Sequence, residues 1–233
     1  MTLRTFRFRA ASALAVLAAP LTLAGGCAPE PAATGLAAPE VQAGAPSAEL
    51  PDPWPPRVGE PYPDLELLDA QGRRMHLSSL AGRTILLEPI GMNCPACNAF
   101  AGANQPGRGG LNGLKPQGGL PSIYESLEQW AGGVSLDDGR LVLVHLLLYD
   151  YGMQAPDVED ARHWDEHFEV SRHGGVVLVP ARDLRGPASY KMIPGFQLID
   201  DRFVLRYDSS GHRPRHNLWQ ELLPALPAIL DGG

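Results

Sequence analysis

Two long apolar runs place the strongest limits on how this chain can fold. Residues 141–149 read Leu-Val-Leu-Val-His-Leu-Leu-Leu-Tyr, and residues 84–90 read Thr-Ile-Leu-Leu-Glu-Pro-Ile. Nearly continuous apolar runs of strand length are typical of strands that are buried on both faces. A sheet of that kind needs a helical layer on each side, so the sequence predicts a central sheet between helices.

Shorter strand and helix patterns surround these two runs. Further strands are predicted at 64–68, 74–77, 175–179, 196–199 and 203–207, and helices after Cys97 and over 122–130, 157–168 and 215–223. The first two short strands flank the turn signal Asp69-Ala-Gln-Gly72 and should form a hairpin. The glycine-rich residues 105–119 interrupt the helix after Cys97. The predicted fold class is therefore α/β: a central mixed β-sheet flanked by helices, with an N-terminal β-hairpin extension and a Gly-rich insertion.

The first 27 residues have the features of a secretory signal peptide. A basic start, with Arg4, Arg7 and Arg9, precedes an apolar run over residues 10–23 that contains Pro20. A spanning helix needs about 20 apolar residues, so this run favours a processed leader. The leader closes with Leu-Thr-Leu-Ala-Gly-Gly-Cys, which resembles the bacterial lipobox, although Ala24 stands where that motif usually has Leu. The resemblance implies lipidation at Cys27; the alternative is ordinary cleavage nearby.

Composition divides the rest of the chain into a tether and a domain. Residues 28–57 are rich in Ala and Pro and lack a periodic apolar pattern, so they are predicted to be a disordered tether. Residues 58–230 are predicted to be the folded domain. A net charge of -7 leaves no basic face for phosphates, so nucleic acid is not an expected partner.

The motif most able to carry out chemistry is Cys94-Pro-Ala-Cys97, which follows the strand at 84–90. Such a pair is either half of a zinc site or a redox dithiol. Structural zinc needs four ligands, and the chain has only one further cysteine, Cys27, beyond the tether. The dithiol is therefore favoured. A helix N-terminus lowers the pKa of the first thiol, and the spacing lets the second sulfur reach it.

At this point the chain resembles the thioredoxin superfamily, in its exported TlpA-type or redoxin-like branch. The resemblance rests on the strand, Cys94-Pro-Ala-Cys97 and helix in that order, on Ile193-Pro194 before the strand 196–199, and on Val-Gly-Glu-Pro-Tyr-Pro-Asp-Leu at 58–65. It implies that Cys94 is the nucleophile, that Cys97 is the resolving thiol of a redox-active disulfide, and that Pro194 is a cis proline beside it. The alternative for Pro194 is an ordinary loop proline.

Glu88 is the remaining catalytic candidate. It interrupts an apolar strand six residues before Cys94, where the family has a buried acid that exchanges a proton with the second cysteine. A buried carboxyl has a raised pKa and can act as acid or base near neutral pH. The alternative is a strand end that faces water.

The resemblance also implies a substrate groove around the dithiol, formed by Met92, Asn93, Pro95, Ala96 and Ile193. Asn93 stands where the family usually has Trp before the first cysteine. Ile193 resembles the thioredoxin-like reductants, which favours a reducing role.

The predicted function is that of a membrane-tethered thiol-disulfide oxidoreductase that needs no cofactor. Its expected partners are protein thiol or disulfide clients, a membrane electron donor and, through the lipid anchor, a membrane. The expected location is the cell envelope, outside the cytoplasm and lipid-anchored to a bacterial membrane.

Two other functions share this fold. A copper-binding protein similar to the SCO type would use Cys94, Cys97 and a histidine such as His163 or His167, since thiolates suit Cu(I). Those relatives, however, have three residues between their cysteines, and this chain has two. A peroxiredoxin would need Pro-x-x-x-Thr-x-x-Cys, which is missing here. His145, within the longer apolar run, is predicted to be a core histidine.

Overall fold

The computed structural model describes residues 50–232. Its strands are β1 Glu66–Asp69, β2 Arg74–His76, β3 Thr84–Gly91, β4 Leu141–Tyr149, β5 Gly175–Pro180, β6 Gln197–Ile199 and β7 Leu205–Asp208. Its α-helices are α1 Pro95–Phe100, α2 Ile123–Trp130, α3 Val158–Phe168, α4 Pro187–Lys191 and α5 Leu223–Leu230. Strand and helix patterns in the sequence predicted each of these except α4, and α5 lies later in the chain than the helix predicted there.

The strands of residues 50–232 form one mixed sheet in the order β2-β1-β5-β4-β3-β6-β7. β3 and β4 are parallel to each other, as are β4 and β5, whereas β6 runs antiparallel to β3, and β7 to β6. The hairpin β1–β2 adds to the outer side of β5 through an antiparallel pairing. The predicted mixed α/β class and the N-terminal hairpin extension are confirmed.

Both faces of the central strands are covered. Every residue of β3 and β4 is buried. On β3, Ile85 and Leu87 join one core cluster with Trp164 of α3, and Leu86 joins a second cluster with Leu127 of α2. Side chains alternate across a strand, so these two clusters lie on opposite faces of the sheet. This double burial explains the unbroken apolar runs in the sequence.

The C-terminal helix differs from its prediction. Helical structure was predicted over 215–223, but it begins with a π-helical segment at Leu218–Leu222 and continues as α5 to Leu230. The side chain of Asn217 accepts hydrogen bonds from the backbone at the true start. Pro224 is the second residue of α5, directly after the π-helical segment, and the helix continues past it to Leu230.

The leader and most of the tether lie outside the described residues, including Cys27 and residues 1–49. The described end of the predicted tether contacts the domain, because the Trp54 Nε1–H donates a 3.0 Å hydrogen bond to Ser189 Oγ. The domain boundaries at 27 and 57 stay predictions. Within residues 50–232, no helix combines the length and the apolar character needed to cross a bilayer.

Candidate functional site

The two cysteines lie where β3 passes into α1. β3 ends at Gly91, and the Cys94 N–H donates a 2.9 Å hydrogen bond to the Gly91 carbonyl, closing a tight turn. Cys94 is the N-cap of α1, and Pro95 occupies the first turn. Proline is tolerated there because the first helical N–H groups have no intrahelical acceptor. As a result Cys94 is half-buried at the surface, whereas Cys97 is buried behind it, and both are free thiols.

Local hydrogen bonds favour the thiolate form of Cys94. The side chain of Cys97 and the backbone N–H groups of Cys97 and Ala96 stabilise its charge and lower the pKa of Cys94 to about 7, despite partial burial. The Cys97 N–H donates to Cys94 Sγ at 3.3 Å. Only a thiolate attacks a disulfide, and of the two described thiols Cys94 is the one whose lowered pKa favours the thiolate at neutral pH.

Cys97 has the opposite character. Burial, the hydrogen bond to Cys94 and the charges of Cys94 and Glu88 all raise its pKa well above the ordinary value. This thiol therefore keeps its proton at neutral pH. A reaction in which Cys97 attacks a disulfide needs a base beside it.

Glu88 is the candidate for that base, and its charge contributes to the raised pKa of Cys97. Its side chain is fully buried in the middle of β3, which excludes a strand end that faces water. Burial first, and the charge of Cys94 second, raise the pKa of Glu88 well above the ordinary carboxyl value. Within residues 50–232, neither carboxyl oxygen has a hydrogen-bond partner. The Nε2 atom of His145 lies 3.7 Å from Oε2.

A cavity of about 250 Å³ opens beside Cys94. Pro194, whose peptide bond with Ile193 is cis, forms part of its wall. Of the residues predicted to form the groove, Asn93, Pro95 and Ile193 line it. Met92 and Ala96 do not, because both side chains point into the protein and are buried.

Five residues of the cavity wall were not predicted from the sequence: Gly91, Tyr149, Met153, Tyr190 and His212. Tyr149 is the last residue of β4 and pairs with Gly91 at the same edge of the sheet. The carboxyl ends of neighbouring parallel strands meet at one edge, and this rule could have placed Tyr149 there. Tyr190 belongs to the unpredicted helix α4 and is 54% exposed, so no sequence pattern indicated it.

Asn98 connects the dithiol turn to the Gly-rich insertion. Its Nδ2–H group donates to the carbonyls of Met92 and Cys94, and its Oδ1 accepts from the Leu111 N–H. The insertion thus folds back on α1, and Leu111 is fully buried. Sequence analysis missed Asn98 because a polar residue on a short helix carries no distinctive signal.

The histidines proposed for copper are not brought to the cysteines. His163 is exposed on α3, and His167 Nε2 hydrogen-bonds the Gly109 carbonyl of the insertion. Within residues 50–232, no three His, Cys, Asp or Glu side chains are grouped to hold a metal ion.

No known family profile matches the chain, and no curated protein matches it either. Solved structures do match the fold of the chain. A candidate electron transfer protein from Aquifex aeolicus VF5 is 16% identical, with a TM-score of 0.50 over 76% of this chain and 100% of its own. A thiol:disulfide interchange protein from Bacteroides sp. is 13% identical, with a TM-score of 0.46 over 76% of this chain and 93% of its own. BsSco, of the Sco family of cytochrome c oxidase assembly proteins, is 10% identical, with a TM-score of 0.47 over 73% of this chain and 94% of its own. At these identities the likeness concerns the fold alone.

Proposed function

From a thioredoxin-like fold that carries a dithiol at the start of α1, we propose that this chain is a thiol-disulfide oxidoreductase that reduces disulfide bonds in proteins. One observation carries the proposal: a half-buried thiol with its pKa lowered to about 7 lies against a buried thiol with a raised pKa. A reactive thiol at the surface and a protonated partner behind it are the two components of disulfide exchange.

The reaction has two steps. The Cys94 thiolate attacks one sulfur of a client disulfide, forming a mixed disulfide and releasing the first client thiolate, which takes a proton from water. Cys97 then gives its proton to Glu88 and attacks Cys94 Sγ. The Cys94–client bond breaks, the Cys94–Cys97 disulfide forms, and the second client sulfur leaves as a thiolate. The client gains two electrons and the dithiol loses them, so the reaction itself uses no bound cofactor.

The cavity beside Cys94 is where the client would lie. Its wall includes Pro194, which follows a cis peptide bond, and the exposed Tyr190. An aromatic side chain supplies a large apolar contact area at low entropic cost. These features suit an extended segment of a client protein with its disulfide directed at Cys94.

The cellular setting is proposed from the sequence. Residues 1–27 would export the chain, lipidation of Cys27 would hold it on a bacterial membrane outside the cytoplasm, and the Ala/Pro-rich tether would let the domain reach its clients. Each turnover leaves the dithiol oxidised. A membrane electron donor is therefore proposed to reduce it again.

The test is reduction of insulin by the full-length chain with dithiothreitol as the electron source. Cys94→Ser should abolish the activity. Cys97→Ser, mixed with insulin in the absence of dithiothreitol, should accumulate a mixed disulfide that is detectable by mass spectrometry. Cys27→Ser is the matched control: it should keep the activity in solution and lose attachment to membranes. Equal activity of the wild type and Cys94→Ser would refute the proposal.

A further inference from the structure

His145 is a buried titratable residue that the proposed reaction does not yet use. It lies in the middle of β4, directly opposite Glu88 in the parallel pairing with β3, and its side chain is fully buried. Burial lowers the pKa of His145 to about 3, so its ring is neutral under all ordinary conditions. A neutral imidazole has one N–H donor and one acceptor nitrogen, and their assignment decides what the ring can do.

Trp164 on α3 determines that assignment. Its indole Nε1–H lies 3.0 Å from His145 Nδ1. An indole nitrogen can only donate a hydrogen bond, so Nδ1 is the acceptor and carries no proton. The proton of the neutral ring is therefore on Nε2. This nitrogen has no hydrogen-bond partner within the described residues and lies 3.7 Å from Glu88 Oε2.

The Nε2–H group thus lies near a carboxyl group that accepts no hydrogen bond from any other described residue. The titratable groups near Glu88 are Cys94 and Cys97 from α1, His145 from β4 and Tyr124 from α2. The cysteine thiolate opposes ionisation of Glu88, and the Tyr124 hydroxyl has no hydrogen-bond partner within residues 50–232. A buried carboxylate without a donor is strongly disfavoured, so a base at this position needs one.

We propose that His145 is a positioning residue for Glu88: its Nε2–H, held in place by Trp164, donates a hydrogen bond to the carboxylate when Cys94 is in the mixed disulfide. This inference rests on the proposed function. In the mixed disulfide the Cys94 thiolate charge is gone, so burial alone opposes ionisation of Glu88. The hydrogen bond from His145 offsets that burial, and Glu88 releases its proton to solvent water. The carboxylate closes the 3.7 Å gap to His145 and then accepts the Cys97 proton.

The first test separates the two steps of exchange with the aromatic disulfide 5,5′-dithiobis(2-nitrobenzoate) in the full-length chain carrying Cys27→Ser, so that Cys94 and Cys97 are the only thiols that can react. The first release of coloured thiolate reports attack by Cys94, and the second reports attack by Cys97. His145→Leu should slow the second release at pH 7 by about tenfold to a hundredfold, the equivalent of one hydrogen bond to a charged group, and shift its pH midpoint upward. The first release should change by less than about threefold, since His145 does not touch Cys94.

Two further variants make the result specific. His145→Gln places an amide N–H near the position of Nε2 and should restore most of the second rate. Trp164→Phe keeps an aromatic ring against the core but removes the indole donor, so it should slow the second release without a change next to Glu88. If His145→Leu does not fold, this variant still decides the question. A folded His145→Leu or Trp164→Phe with wild-type kinetics in both steps would overturn the proposal.

A readout without turnover distinguishes this inference from the proposed function. The ionisation of the Glu88 carboxyl can be followed by carbon-13 NMR over a pH series in wild type and His145→Leu. The midpoint should be higher in the variant; equal midpoints would overturn the role of His145. If Cys94 and Cys97 never join in the wild type, the proposed function fails, and the Glu88 titration still decides whether His145 stabilises its carboxylate.

Discussion

The low pKa of Cys94 depends mainly on the side chain of Cys97, and replacing that side chain gives a quantitative prediction. The hydrogen bond from Cys97 is the largest cause of the lowered value. A hydrogen bond to a charged group is worth about 1.5 to 3 kcal/mol, which corresponds to about one to two pKa units. Cys97→Ala should therefore raise the pKa of Cys94 from about 7 toward the ordinary value of 9.0.

The assay is the rate of alkylation of Cys94 by iodoacetamide as a function of pH. A thiol with the ordinary value of 9.0 is about 1% thiolate at pH 7, whereas Cys94 is about half thiolate. A thiolate of higher pKa is more nucleophilic, which offsets part of the loss. The net fall in rate at pH 7 should be about two- to sixfold, so the shift of the midpoint is the clearer signal.

Cys97→Ser is the matched control, because its hydroxyl can still donate to the Cys94 sulfur. The alkylation midpoint of this variant should stay closer to 7 than that of Cys97→Ala. If both variants titrate like the wild type, the Cys97 side chain does not stabilise the thiolate, and the reasoning is refuted.

Three further predictions concern Glu88, the insertion and the cavity. The pKa of Glu88 is raised in the folded state, so the folded state binds this proton more tightly than the unfolded state does. The contribution of Glu88 to the free energy of unfolding is therefore fully present below about pH 4.5. It is lost as pH rises through the folded pKa, by at most about 1.4 kcal/mol per pH unit. Glu88→Gln should remove this loss of stability at high pH. Its free energy of unfolding in urea should therefore exceed that of the wild type at pH 9 but not at pH 4. The same difference between variant and wild type at both pH values would contradict the burial of an ionisable Glu88. Gly110→Ala would place a Cβ 2.1 Å from the Leu114 carbonyl oxygen and should lower the free energy of unfolding in urea by about 1 to 3 kcal/mol. Gly118 has open space around it, so Gly118→Ala should change that free energy by less than about 0.5 kcal/mol. Equal effects of the two variants would show that the insertion does not pack as described. Tyr190→Ala should lower the rate of insulin reduction several-fold and leave alkylation of Cys94 unchanged. Tyr151 is also exposed, at 40% against 54% for Tyr190, but lies outside the cavity wall, so Tyr151→Ala should change neither rate. Identical rates for both variants would remove Tyr190 from the client site.

The sequence predicted most of the sheet and the position of the dithiol because these depend on local patterns. The runs at 84–90 and 141–149 are apolar throughout because β3 and β4 are buried on both faces. Cys94 could be placed at a helix N-terminus because Pro95 is typical of a first helical turn. Glu88 could be singled out because a charged residue inside such a run needs a reason.

What could not be predicted depends on contacts between distant segments. The Asn98 side chain is buried because the insertion returns to it at Leu111, which no periodicity reveals. α4 is a five-residue helix that starts at a proline, too short for an amphipathic pattern, so Tyr190 could not be assigned to the cavity. His145 was predicted to be a core residue, and it is one. Its relation to Glu88 required the pairing register of β3 with β4.

The central claim is that Cys94 and Cys97 form one reversible disulfide couple. The most direct measurement is an equilibrium titration of the full-length chain in redox buffers, with the Cys94–Cys97 bond quantified by mass spectrometry. We expect a single two-electron transition to that disulfide, at a potential near that of thioredoxin, about -270 mV, as a reductant requires. Absence of the bond at every potential would contradict the account, and a transition near about -120 mV would contradict the reducing direction.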